Sequence, residues 1–144
     1  MNDEELEKGI ATLEILKAQI TNLQKQIEAL EVSVQEHIRA RETLENYIKM
    51  DNDEILVPVG AGVLISAKVE KKKGLITIGN ELYTELPLEK IIEKLKERQK
   101  DLENLQIKLT TDIKKLQENY ALLSAKVEQD YAKYIEERRN VQNP

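Results

Sequence analysis

Few residues in this sequence could do chemistry. There is one histidine, His37, and no cysteine, so no thiolate nucleophile, thiolate metal site or disulfide framework is available. The lack of cysteine fits a reducing cytosol. His37 has no acid–base or ligand partners spaced around it, and on a helical seam it reads as a packed polar residue that fixes register. Gly60-Ala61-Gly62 resembles the opening of a dinucleotide loop, but Ile65 stands where a third glycine belongs and a strand follows instead of a helix. It reads as a hairpin turn. Glu93 and Glu97 form a solvated helix face. Lys71-Lys72-Lys73 has no interleaved aromatic residue on which a base could stack, and it reads as a solvated turn. With 27 acidic and 22 basic residues the formal charge is -5, which argues against a surface that neutralises phosphates and does not favour an anionic membrane. The expectation is no enzyme, with no catalytic, cofactor-binding or metal site, no cofactor and no nucleic-acid partner.

What remains is architecture. Charged residues make up 34% and aromatic residues 3% of the chain, with no Trp or Phe, so burial must come from Leu, Ile and Val in a composition typical of long helices. The most apolar stretch, residues 55–67, is interrupted by Pro58, Gly60 and Gly62 and is shorter than the roughly 20 residues of a spanning helix. The first residues, Met1-Asn2-Asp3-Glu4-Glu5, are acidic where an export signal would be basic and then apolar. A soluble, cytoplasmic protein without a membrane partner is expected.

Glycine and proline divide the sequence. Residues 10–57 and 88–143 contain neither, which predicts a long helix, a short middle and a second long helix. In the first helix Leu6, Leu13, Leu16, Ile20, Leu23, Ile27, Leu30 and Val34 form a heptad seam. The seam turns polar at His37 and Arg41 and resumes at Leu44 and Ile48. Asn2 and Glu5 fit a capping box. In the second helix the apolar series Leu88, Ile91, Leu95, Arg98, Leu102, Leu105, Leu109, Ile113 contains a four–four step at Leu105–Leu109–Ile113, which predicts a stutter. Pro87 suits the first helical turn. Similar lengths, each on the order of 70 to 80 Å, predict an antiparallel pair placing Leu13 near Leu123, Ile20 near Leu116, Ile27 near Leu109 and Val34 near Leu102. Both chain ends then meet at a far tip.

Between the helices the period drops to two, the sign of strands. Ile55, Val57 and Val59 share a face, as do Val63, Ile65, Ala67 and Val69, joined by the Gly60-Ala61-Gly62 loop. After Lys71-Lys72-Lys73-Gly74, Leu75 to Ile78 and Glu81 to Leu86 form a second hairpin around Gly79-Asn80. Such a four-strand sheet has an apolar face and open edges with nothing left in the chain to cover them, so oligomerisation is expected.

The combination of coil, double hairpin and coil is similar to prefoldin, specifically its α class. The residues that carry the resemblance are Ile55-Leu56-Val57-Pro58-Val59-Gly60-Ala61-Gly62-Val63-Leu64-Ile65-Ser66-Ala67-Lys68-Val69, a Val-Pro strand, Gly-x-Gly turn and Ala-Lys-Val strand, followed by a second hairpin with Gly79 at its turn. Leu64 sits where relatives commonly carry phenylalanine. The resemblance implies a mostly α fold with a small β part, in which a long antiparallel two-helix coiled coil carries two β-hairpins and oligomerises through a β-barrel. The expected unit is the whole chain, 1–144, with helices at 3–50 and 87–142 and hairpins at 54–86. It further implies a holdase that works without ATP, built from two α with four β-class subunits, gripping non-native polypeptides at the coil tips and passing them to a group II chaperonin. The tip candidates are Leu6, Ile10, Leu13 and Leu16 on one helix and Leu122, Leu123, Val127, Tyr131, Tyr134 and Ile135 on the other. Of these, Leu13, Leu16, Leu123 and Val127 can serve by closing the seam, whereas Ile10, Leu122 and Ile135 lie off it. The hairpin residues expected to carry assembly are Ile55, Val57, Val59, Val63, Ile65, Val69, Ile76, Ile78 and Leu82. The alternative is a filament or scaffold subunit that pairs with itself through the same hairpins.

Overall fold

In the computed structural model, which describes residues 3–142, two long helices flank two β-hairpins. Helix α1 spans Asp3–Lys49, strands β1 and β2 span Glu54–Gly60 and Val63–Lys68, β3 and β4 span Lys73–Gly79 and Leu82–Pro87, and helix α2 spans Leu88–Gln142. The capping box at Asn2 lies outside the described residues. The first turn of α1 carries Asp3, Glu4 and Glu5, negative charges that suit the positive end of a helix dipole. The chain divides into two compact units, one from the residues up to Glu31 with those from Asn104 on, the other Val32–Glu103.

Along α1, positions 6, 9, 13, 16, 20, 23, 27, 30, 34, 37, 41, 44 and 48 are all buried or half-buried, an unbroken alternation of three and four that keeps one stripe facing a partner helix. Gly9 fills a position in that stripe. Along α2 the matching stripe is 88, 92, 95, 99, 102, 106, 109, 113, 116, 120, 123, 127, 130 and 134. The expected stutter is therefore absent. The seam passes through Ile92, Gln99 and Gln106, while Leu105 is 42% exposed. The apolar spacing misled because Ile91 and Arg98 serve the second hairpin and not the coil.

In the first unit α1 and α2 run in opposite directions. A Cβ on Gly9 would lie 2.8 Å from Val127 Cγ2, and Gln106 Nε2 donates to Glu31 Oε2 at 2.9 Å. The Gly9–Val127 pair has position numbers summing to 136, the same register as the expected pair Leu13 with Leu123. In the second unit Arg41 Nη1 donates to Gln99 Oε1 at 3.0 Å. There Ile76, Leu88 and Ile91 form a buried cluster against Leu44, Tyr47, Ile48, Leu86 and Leu95. Each of the three is less than 7% exposed, and burying such a side chain contributes about 1.5 to 3 kcal/mol.

The strands do not form the single four-strand sheet expected. β1 pairs only with β2 and β3 only with β4. The reason is visible in the connection. Val69 N–H donates to the Asp53 carbonyl at 2.7 Å and Leu88 N–H to the Lys72 carbonyl at 3.0 Å, which ties the linking residues to the helix ends. Lys71 donates to the Met50 carbonyl and lies 3.8 Å from Asp53. Its ammonium thus sits at the negative end of α1, not in a solvated turn. β3 begins at Lys73, so Gly74 is a strand residue packed against Leu88 and Ile91. Pro87 ends β4 and pairs with Lys73 instead of entering α2.

Both hairpin loops have two residues. Gly60 pairs with Val63 and Gly79 with Leu82, leaving Ala61-Gly62 and Asn80-Glu81 at the tips, all with positive φ. Two consecutive positive φ values are the signature of the type I′ turn, whose twist matches that of the strands. The second turn is therefore Asn80-Glu81, one residue later than the Gly79-Asn80 expected.

Candidate functional site

The residues expected at the coil end belong to the first unit and fall into two groups. Leu6 and Val127 are each 8% exposed, and Leu13, Leu16, Leu123 and Tyr134 are half-buried. All six lie on the seam and are taken up largely by the opposite helix. Ile10, Leu122, Tyr131 and Ile135 are instead 45%, 74%, 51% and 45% exposed. Ile10 follows the seam residue Gly9 and Tyr131 follows the seam residue Asp130. In an antiparallel pair, positions directly after equivalent seam residues fall on the same flank. Ile10 and Tyr131 thus border one flank, Ile135 follows one turn beyond Tyr131 and farther out, and the Arg138 guanidinium lies 5.0 Å from the ring centroid of the seam residue Tyr134, within cation–π range. The corresponding position on the opposite flank is held by exposed Thr12, Lys126 and Lys133. Leu122 points away from both, on the outer face. Asp130 sits in the seam with Oδ2 buried and without a hydrogen-bond partner among the described residues.

The hairpin residues also separate. In the first hairpin Ile55 and Val57 are half-buried, while Leu56, Val59, Val63, Leu64 and Ile65 are at least half exposed. Register pairs Val57 with Ile65 on one face and Pro58 with Leu64 on the other. Both faces of this hairpin are apolar, and no charged residue occurs between Ile55 and Ala67. Val69 lies beyond the end of β2 and is half-buried at the root. In the second hairpin Ile76 is buried in the cluster with Leu88 and Ile91, whereas Ile78 and Leu82 are 59% and 58% exposed. Ile76 is a core residue of the second unit.

His37 is half-buried in the seam, with Nδ1–H donating to the Ser33 carbonyl at 2.6 Å. Among the described residues no group of three or more His, Cys, Asp or Glu side chains is placed to hold a metal ion, and no helix is long and apolar enough to cross a membrane. Beside β3 lies a groove of about 500 Å³ bordered by α1 and α2, with Leu44, Ile91 and Leu95 in its lining. Arg98 reaches across from α2, its Nη2 donating to the Thr77 carbonyl at 2.7 Å. Spacing along α2 pointed Arg98 to the coil, and only the fold reveals its contact with the hairpin. Gly9 was also missed by the apolar series, although its place three residues after Leu6 and four before Leu13 is the spacing that finds it.

Comparison with known proteins gives a consistent result. The family model of the prefoldin subunit matches residues 16–133. The chain is 35% identical over 100 residues to prefoldin subunit alpha 1 of Methanocaldococcus jannaschii, covering 69% of each chain. It is 34% identical over 112 residues to prefoldin subunit alpha of Archaeoglobus fulgidus, covering 76% of this chain and 82% of that one. Among solved structures, a chain of the filamentous prefoldin of M. jannaschii, determined by cryo-EM, matches with a TM-score of 0.64 and 25% identity over 88% of this chain and 98% of that chain. Two long helices joined by two separate hairpins, with a family match over most of that length, place this chain in the prefoldin family.

Proposed function

We propose that this chain is an α-class prefoldin subunit of an ATP-independent holdase, with the whole of 1–144 acting as one prefoldin-like unit. Prefoldins assemble as oligomers with other prefoldin subunits, and prefoldin α subunits are chaperone subunits. The observation that carries the reading is the apolar flank at Ile10, Tyr131 and Ile135, left about half exposed on a chain that is one-third charged. Large apolar side chains left exposed toward one end of a charged helix pair support an interaction site there. A non-native polypeptide bears apolar side chains that such a flank can bury. Each contact is weak, and several subunits linked in one assembly raise avidity without a tight site. In this reading the hairpins recruit β-class subunits, two α with four β, clients pass on to a group II chaperonin, and the work is done in the cytoplasm.

The test is substitution on the flank. Tyr131→Asp with Ile135→Asp should reduce the protection of a denatured client from aggregation by several-fold while light scattering reports an unchanged assembly, and adding ATP should change neither protein. Full protection by the double variant would remove the flank from client binding. A second reading, a self-assembling filament subunit, is supported by the filamentous prefoldin among the structural neighbours. Both readings use strands that pair between chains, and they differ in whether the assembly closes or propagates.

A further inference from the structure

The first hairpin pairs with no other strand and gives no residue to the buried cluster of its unit. Toward its tip Val59, Val63, Leu64 and Ile65 are at least half exposed, so packing there does not fix the direction in which the hairpin leaves the helices. Its root lies between residues 50–53 and 69–72, and Val69 N–H closes that root on the Asp53 carbonyl at 2.7 Å. Two side chains tie the root to α1. The Tyr47 hydroxyl donates to the Glu70 carbonyl at 3.1 Å, and Lys71 Nζ donates to the Met50 carbonyl with Asp53 Oδ1 3.8 Å away. Met50 directly follows Lys49, the last residue of α1, so its carbonyl lies where a helix leaves acceptors without an intrahelical donor and where a cation is favoured. The three lysines of the linker have different tasks. Lys73 pairs with Glu85 across its own hairpin at 3.6 Å, with 60% of its side chain exposed, and Lys72 serves through its carbonyl, which accepts from Leu88 N–H. The Lys71 side chain is only 21% exposed, its stem laid against the protein and its charge little screened by salt.

We infer that Lys71 is a positioning residue for assembly: by clasping the linker to the end of α1 it fixes the direction in which the first hairpin presents its strand edges to another subunit. The inference rests on the reading that this hairpin joins subunits. Whether successive copies close or propagate is set by the rotation between them, and that rotation is defined only if the hairpin holds one direction relative to its own helices. A hairpin swinging on two connecting segments must be ordered again at every contact, which weakens association. The clasp does that ordering before subunits meet.

The experiment uses the full chain alone. Lys71→Met, which keeps an unbranched stem without the charge, should raise several-fold the concentration at which self-associated species form in light scattering, while Lys71→Arg, which keeps a cation for the same carbonyl, should stay near the parent. A loss of stability alone would also weaken association, so direction is read separately, in the Ile65→Asp background that removes association. Because the chain has no cysteine, Glu42→Cys on α1 and Ser66→Cys on β2, both exposed and in one unit, can carry spin labels. The distance between the labels should be narrowly distributed with Lys71 and spread to about twice that width with methionine, while helicity and unfolding temperature stay near the parent. An unchanged distance distribution, or an unchanged association concentration, overturns the inference. Should Ile65→Asp by itself leave the mass unchanged, the reading of this hairpin as the joint between subunits falls, and the inference with it. Should Lys71→Met not fold, Tyr47→Phe, which removes only the bond to Glu70, is read against the same outcomes.

Discussion

Two residues show how local geometry sets stability here. Glu81 holds φ at 60° in the tip of the second hairpin, beside Asn80 at 50°. A side chain in the left-handed region costs about 1 kcal/mol, part of which glycine returns through its freer unfolded chain. Glu81→Gly would create the Asn-Gly pair that type I′ turns prefer, and it should stabilise the second unit by about 0.5 to 1 kcal/mol, read by denaturant unfolding. Gly9 tests the opposite sign. A Cβ there would meet Val127 Cγ2 at 2.8 Å, and a β-branched neighbour turns aside with difficulty. Gly9→Val should destabilise the coil end by about 1 to 3 kcal/mol, and adding Val127→Ala should recover much of that loss. No change in thermal unfolding for either single or double variant would mean the helices can part there freely.

At the scale of elements, the two hairpins answer differently to the same chemistry. Ile65 is half exposed on the first hairpin, while Ile76 is 6% exposed against Leu88 and Ile91. Ile65→Asp should lower the native mass and leave helicity and unfolding temperature near the parent. Ile76→Ala removes core packing and should cost about 2 to 5 kcal/mol of stability, with mass falling only as the unit unfolds. Equal effects of the two on mass and unfolding would erase the distinction. This difference also marks the limit of the sequence. Periodicity revealed two helices, two hairpins and the coil register, because alternation of two and of three and four leaves a plain imprint on residue type. It could not tell that Ile76 faces a helix of its own unit while Ile78 faces outward. Nor could it tell that Lys71 turns back onto Met50. Such facts depend on which surfaces meet after folding. The stutter failed for the same reason: Leu105 is apolar and exposed, and Gln106 is polar and half-buried.

For the whole molecule, the choice between a closed assembly and an open one rests on strand edges that this chain cannot satisfy alone. Purified by itself it should form concentration-dependent self-associated species, and adding a β-class prefoldin subunit should collapse these into one species of fixed mass. A single invariant mass without the partner would count against both readings of its function. The antiparallel course of the helices has a consequence for time. Ile48 and Leu88, packed in one cluster, are 40 positions apart, whereas Gly9 and Val127 are 118 apart. Loop-closure entropy alone makes the second contact about 1 kcal/mol harder to form from the open chain. Folding should therefore zip from the hairpin roots toward the termini, each layer shortening the loop for the next. The layer of Gly9 and Val127 should then close last, and with the unpartnered carboxylate oxygen of Asp130 buried in the same unit it should open first. On that expectation the side chains buried at that end, Leu6 and Val127, should serve as an intermittent reserve of apolar surface, uncovered by breathing and not by any signal.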